Sequence, residues 1–259
     1  MPNFTLQRGR VPLLISLPHD GSFIPDDIAV RMHPQARRSP DTDWHVARLY
    51  EPLALGLGAS VLKPLASRYV IDLNRPADGQ ALYPGQRETG LVPTVGFDGE
   101  PLYRDDRVPD ADEVQRRISA FWQPYHQALA DELERLRAEH GRVLLWEGHS
   151  IRSRVPMLFD GRLPDFNLGT ATGASCTAAL QARLQGCLQA QSDFSFVVNG
   201  RFKGGFITRH YGDPVRGVQA VQLELAQLNY MDELSFDYDE IGASAVQTLI
   251  SRLLESGLQ

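Results

Sequence analysis

A chain of 259 residues with 42% hydrophobic and 22% charged side chains carries enough apolar material for one sizeable core, in the proportions of an ordinary globular domain. Its formal net charge of -6 excludes general nucleic-acid binding, which needs a basic face, but leaves room for a small anionic substrate held by locally gathered arginines. No apolar run approaches the ~18 residues that span a bilayer, the N-terminal stretch MPNFTLQRGRVPLLISL lacks a signal-peptide pattern, and Cys176 and Cys187 form no CxxC pair, so the chain reads as a cytoplasmic protein with reduced thiols and no membrane partner.

Residues 11–17 form an apolar run closed by Pro18-His19-Asp20-Gly21, the pattern of a buried strand feeding a loop. Residues 41–46, DTDWHV, open a helical spacing that continues through Leu49, Tyr50, Leu53 and Leu57 and stops at Gly56 and Gly58. Strands are predicted over 59–62 and 69–73, the second running into Asn74-Arg75-Pro76. Residues 76–108 have little periodicity and read as a long flap.

A long amphipathic helix is predicted over 111–140, with Val114, Ile118, Phe121, Trp122, Tyr125, Leu129, Leu133 and Leu136 as its buried stripe and Gly141 as its cap. Residues 142–146 (RVLLW) read as a buried strand leading into Glu147-Gly148-His149-Ser150. Helix is expected over 174–190, extended chain over 194–198, a glycine-rich charged loop over 199–212, a strand over 218–225 and a last helix over 239–256. This alternation predicts one α/β domain, with a mixed, mostly parallel sheet and helices on both faces.

Strand carboxyl ends share one edge of an open α/β sheet, so PHDG, NRP and EGHS can converge there. His19 and His149 are then natural metal ligands, and a carboxylate from Asp43, Asp41, Asp20 or Glu147 would complete a Zn²⁺ site with one position left for water. Ordinary roles compete with this. A histidine after a strand can be a plain loop residue, Asp41 sits where an N-cap would, and Asp43 falls in the first helical turn, where the dipole favours a carboxylate. His45 could support a ligand from behind.

Glu224 lies between leucines in VQLEL and, if buried, needs a partner. Strand alternation alone would equally put it in solvent beside Gln222. Arg75 follows Asn74 at a strand exit, where a guanidinium can grip a carboxylate with two parallel bonds; Arg68 and Arg209 are further candidates. Other motifs fail. Gly148-His149-Ser150 lacks the closing glycine of a nucleophile elbow because residue 152 is Arg152. No phosphate-binding GxxxxGK[ST] loop and no HExxH occur.

The strings SLPHDG, DTDWHV, SRYVIDLNRP, WEGHSIRS, GRLPDFNLGT, GGFITRHYG and QLEL, spread over residues 16–225, together resemble the N-formylglutamate amidohydrolase family. DLNR is also similar to aspartoacylase-type enzymes, and both families look like relatives of the zinc carboxypeptidases. The resemblance implies a three-layer carboxypeptidase-like fold and Zn²⁺-dependent hydrolysis of N-formyl-L-glutamate, a small acidic substrate. It implies His19 and His149 as ligands, Glu224 as general base, Arg68 as the group polarising the scissile carbonyl, and Asn74 and Arg75 as the carboxylate grip; because a di-acid needs a second cation, Arg209 is expected to assist. The carboxypeptidase pattern has a glutamate three residues after the first histidine, where this chain has Ser22. The second ligand must come from elsewhere, and Asp43, in the family's TDWH string, is the one expected. A deacylase for another N-acyl acidic amino acid, or a non-catalytic binder of acidic metabolites, would carry much of the same pattern.

Overall fold

A computed structural model of the chain describes residues 3–82, 85 and 88–259. Seven strands, β1 (Phe4–Gln7), β2 (Leu13–Ser16), β3 (Ser60–Pro64), β4 (Val143–Ile151), β5 (Phe166–Gly169), β6 (Phe196–Val198) and β7 (Val218–Ala226), form one sheet in the order β1-β3-β2-β4-β7-β5-β6. The inner run β3-β2-β4-β7 is parallel throughout. β1 joins β3 antiparallel, β5 joins β7 antiparallel, and β6 lies parallel to β5. The helices are α1 (Asp26–Ala29), α2 (Val46–Leu57), α3 (Ala111–Arg117), α4 (Gln123–His140), α5 (Ala178–Gln189), α6 (Phe206–Tyr211) and α7 (Glu240–Leu258). No helix among the described residues is long and apolar enough to cross a membrane.

Side-chain alternation sorts the sheet onto two cores. Leu13, Ile15, Leu144, Trp146, Val221, Leu223 and Leu225 pack against α2, α5 and α7. Leu14, Val143, Leu145 and Ala220 pack on the other face, against α4 and α6. Each large side chain buried this way contributes ~1.5–3 kcal/mol. Continuing the alternation along β4 and β7 puts Glu147, His149, Gln222 and Glu224 on the face shared with α4 and α6. The register sets Glu147 beside Gln222 and His149 beside Glu224. Both faces are covered, so Glu224 is buried rather than turned to solvent. His149 lies inside β4, which runs on to Ile151, and not in a loop beyond it.

Several local expectations are corrected. Residues 69–73 form no strand. They pass through turns, with Val70 N–H donating to Ser67 O and Arg75 N–H to Asp72 O. Their apolar side chains are explained by burial: Tyr69 and Val70 pack with Ile28, Met32, Leu102 and Tyr103, and Ile71 and Leu73 join the α4 core. The helix expected from residue 41 begins at Val46, after His45 in a left-handed conformation (φ 65°). Its cap comes from Asp20, whose carboxylate accepts the Ala47 N–H at 2.8 Å, so Asp41 is no N-cap.

The helix predicted over 111–140 is α3 and α4 joined by a π-helical segment, Ile118–Trp122, and it does end at Gly141 in a left-handed conformation (φ 75°). The glycine-rich loop contains α6. The flap has no strand or α-helix among its described residues and closes with a short 3-10 turn, Asp105–Arg107; Tyr83, Pro84, Gln86 and Arg87 lie outside the described residues.

Candidate active site

Parallel pairing of β2 with β4 sets Ser16 beside Glu147, and the turn after β2 brings His19 to His149, with ring centroids 4.9 Å apart. Asp43, from the turn before α2, enters between them. Its N–H donates to His19 O at 3.0 Å, and its Oδ2 accepts the Ser150 N–H at 3.0 Å. That oxygen lies 3.1 Å from His149 Nδ1 and 3.8 Å from His19 Nδ1. All three side chains are buried, and one potential ligand atom from each lies within 4.8 Å of the others.

Carboxylates stand behind both rings. His19 Nε2 donates to Asp72 Oδ1 at 2.7 Å, and Asp72 Oδ2 accepts from Arg68 Nη2 at 2.8 Å. His149 Nε2 faces Glu147 Oε1 at 3.2 Å, and Glu147 Oε2 accepts from the Thr208 hydroxyl at 2.5 Å and N–H at 3.1 Å. An ionised carboxylate only accepts, so each Nε2 carries its hydrogen, and each Nδ1, the nitrogen facing Asp43, is the one that would take a cation. Asn74 Nδ2 sits 3.1 Å from the same His149 Nε2.

These residues fit a divalent cation. Asp43 Oδ1 is buried without a hydrogen-bond partner, a costly state that a ligand position relieves. Four buried carboxyl groups, Asp43, Asp72, Glu147 and Glu224, gather in this region, and of the described arginines only Arg68 meets Asp43 and Asp72 there. Two imidazole nitrogens and a carboxylate oxygen would make a three-ligand set with an open position for a cation.

The electrostatics follow from this crowding. Burial disfavours charge on Asp43, but the His149 hydrogen bond and the charges of His19, His149 and Arg68 outweigh it and lower its pKa. Burial is likewise overcome at Asp72, where His19, Arg68 and Arg75 hold the carboxyl well below its usual range. Burial and the nearby Arg68 lower His19 despite Asp72, keeping the ring neutral as a ligand must be. His149 moves the other way. Its burial is outweighed by Asp43 and Glu147, which raise it well above the ordinary imidazole value. Glu224 is pushed up to about 8, chiefly by burial, with the charges of Asp43 and Glu147 adding and those of His149 and Arg68 subtracting.

A cleft opens over this cluster. His19, Arg68, Asn74, Arg75, His149, Gln222 and Glu224 line it, with Glu88, Thr89 and Phe97 from the flap, and Arg201 and Phe202 from the glycine-rich segment. Arg75 is pinned by the flap, its Nε donating to Thr89 O at 2.8 Å. Arg209 lies elsewhere: it is exposed on α6, does not line the cleft, and its Nε donates to Gly204 O at 2.8 Å.

The N-formylglutamate amidohydrolase family model matches residues 11–231. The chain belongs to that family. It is 54% identical over 253 residues to N-formylglutamate deformylase of Pseudomonas aeruginosa, covering 97% of this chain and 94% of the relative. The deformylase of Pseudomonas putida is 51% identical over the same coverage. Among solved structures, an N-formylglutamate amidohydrolase from Ralstonia eutropha superimposes with a TM-score of 0.82 at 27% identity, over 99% of this chain and 97% of that one. A gene product of Agrobacterium tumefaciens has a TM-score of 0.75 at 16% identity, over 98% and 94% of the two chains.

In this N-formylglutamate amidohydrolase family member, the other carboxylates considered as ligands have different partners. Asp20 caps α2. Asp41 accepts from Tyr69 Oη at 2.6 Å, Phe97 N–H at 2.7 Å and Arg152 Nη2 at 3.0 Å, tying the flap down. Glu147 holds His149 from behind. His45 is away from the cluster, its Nε2 bonded to Phe236 O at 2.7 Å. Sequence reasoning missed Asp72, although a carboxylate between Ile71 and Leu73 needs a partner as much as Glu224 does. It also missed Gln222, whose Oε1 accepts the Gly205 N–H at 2.7 Å and whose Nε2 is 3.5 Å from Glu224 Oε2.

Gly205 is required by close approach. A Cβ there would lie 2.3 Å from Asn74 Nδ2. Gly205→Ala is expected to push the Asn74 amide aside and lower kcat/KM by about 10²-fold, the cost of misplacing a positioning group by about 1 Å. Gly56→Ala, where a Cβ meets nothing within 4 Å, is expected to leave kcat/KM unchanged; steady-state kinetics on both variants checks this.

Proposed function

We propose that this chain hydrolyses N-formyl-L-glutamate to formate and L-glutamate, using a divalent metal held by His19, Asp43 and His149. The observation that carries the reading is the convergence of this triad, Glu224 and the arginines on one cleft in a chain so similar to the curated deformylases. Two imidazoles and one carboxylate suit Zn²⁺ better than the all-oxygen sites of Mg²⁺ or Ca²⁺.

When bound, the metal supplies Lewis-acid activation of water and of the formyl oxygen. Glu224 accepts the proton of the attacking water and passes it to the amine nitrogen as the C–N bond breaks. For that it must be ionised, and a cation held by His19, Asp43 and His149 would lower the pKa that burial has raised. Arg68, fixed by Asp72, donates to the oxyanion as it forms. Asn74 and Arg75 hold one carboxylate of the substrate. A di-acid needs a second cation, and Arg201 is our assignment because it lines the cleft and Arg209 does not. The flap, anchored through Thr89 and Phe97, excludes bulk water.

Arg75→Ala is expected to raise KM for N-formyl-L-glutamate about 10- to 100-fold, the loss of a charge-assisted bond, and to leave turnover of a neutral N-formyl amide nearly untouched. Assay of the wild type on N-formyl-, N-acetyl- and N-succinyl-L-glutamate tests the function itself. Preference for the formyl compound supports the reading. Preference for a larger acyl group, or no hydrolysis by metal-loaded protein, overturns it.

A further inference from the structure

The segment that carries Asn74 and Arg75 has no neighbouring strand, so its backbone groups must be held by something else. The Arg75 carbonyl accepts the Trp122 Nε1–H at 2.9 Å, and the Leu73 carbonyl accepts the His126 Nε2–H at 2.9 Å. The Asn74 carbonyl between them is met by Arg75 Nη1 at 3.2 Å. Two aromatic side chains thus hold the peptide on either side of Asn74.

The donors are themselves fixed. Trp122 closes the π-helical segment and His126 lies one turn further on, in α4. Residues four apart share a helix face, and the two rings stack with centroids 3.8 Å apart at 24°. His126 Nδ1 accepts the Tyr211 hydroxyl at 2.9 Å, which commits the ring's hydrogen to Nε2. Burial lowers the His126 pKa to about 4, so the ring is neutral at physiological pH. π-helical turns recur at functional sites, and here one interrupts an otherwise continuous helix where the pair is presented. Neither ring lines the cleft.

We propose that Trp122 and His126 are positioning residues that set the aim of the Asn74–Arg75 carboxylate grip. This rests on the reading that Asn74 and Arg75 bind the substrate's carboxylate. Apolar packing alone does not require the two hydrogen bonds, because phenylalanine at either position could fill the stack.

The test uses Trp122→Phe and His126→Phe, which keep a ring and remove the donor, and His126→Gln, whose amide nitrogen can reach the same carbonyl. With metal content at the wild-type level, each phenylalanine variant is expected to raise KM for N-formyl-L-glutamate about fivefold to tenfold, the weight of one hydrogen bond, with kcat within about twofold. His126→Gln restores most of the KM. In an Arg75→Ala background, Trp122→Phe adds little to the KM already lost. Unchanged KM in folded Trp122→Phe, equal losses of kcat and KM, or full additivity with Arg75→Ala overturns the inference. If His126→Phe does not fold, Trp122→Phe decides alone. The failure of the underlying reading looks different: Arg75→Ala itself would then leave KM for the di-acid unchanged.

Discussion

Glu224→Gln is expected to lower kcat by about 10²–10⁴-fold, the contribution of a positioned general base, while bound metal stays at the wild-type level. The substitution keeps the side chain's volume and its place beside His149 in the β4–β7 register. Gln222 is fixed independently through the Gly205 N–H, so the neighbourhood does not collapse. Only the basic oxygen is lost. The sign of the stability change separates this from unfolding. In the metal-free protein burial raises Glu224 from 4.5 to about 8, so between those pH values the folded chain holds a proton that the unfolded chain has released. Stability from this group is complete below the lower value and is lost as pH rises through the upper one. Glutamine does not titrate. The metal-free variant is therefore expected to be at least as stable as the metal-free wild type at pH 8, with a flatter dependence of Tm on pH. A variant that turns over normally, or that loses activity only by losing metal, removes Glu224 from its assigned role.

Asp43→Asn is expected to abolish metal retention and activity together. It removes the only carboxylate among the three grouped side chains and leaves two imidazoles, each with only the carboxylate behind it, Asp72 or Glu147. Asp72→Asn provides the graded comparison. It leaves all three proposed ligands and removes the carboxylate that His19 Nε2 and Arg68 both bind, so metal affinity should fall by about 10–100-fold, the range for partners behind a ligand. Competition for the metal with a calibrated chelator measures both. Wild-type affinity in Asp43→Asn would return the carboxylate role to another residue.

The parts legible in the sequence are those where one physical rule acts alone. Apolar runs that stop at PHDG and EGHS marked β2 and β4, because a strand buried on both faces has no polar alternation to blur it. The end of the helix stripe at Gly141 was legible because a left-handed glycine closes a helix, whereas the π-helical segment inside the stripe was not. Errors arose where two causes give one pattern. Residues 69–73 look like a strand because they are apolar, yet a flap and α4 bury them, and strand pairing does not. Asp41 looks like a cap because it precedes a helix, but Asp20 caps that helix from 27 positions away. β1 and β5 are four residues each and lack the unbroken apolar run that marked the equally short β2. Asp72 was hidden because its meaning depends on His19 and Arg68 being in reach, which only the fold supplies.

Anomalous diffraction at the zinc absorption edge, from crystals of active metal-loaded protein, tests the central claim most directly. The account predicts a single strong peak about 2.0–2.2 Å from His19 Nδ1, His149 Nδ1 and an Asp43 carboxylate oxygen. A peak bound elsewhere, or fully active protein with no metal among these three side chains, would contradict it.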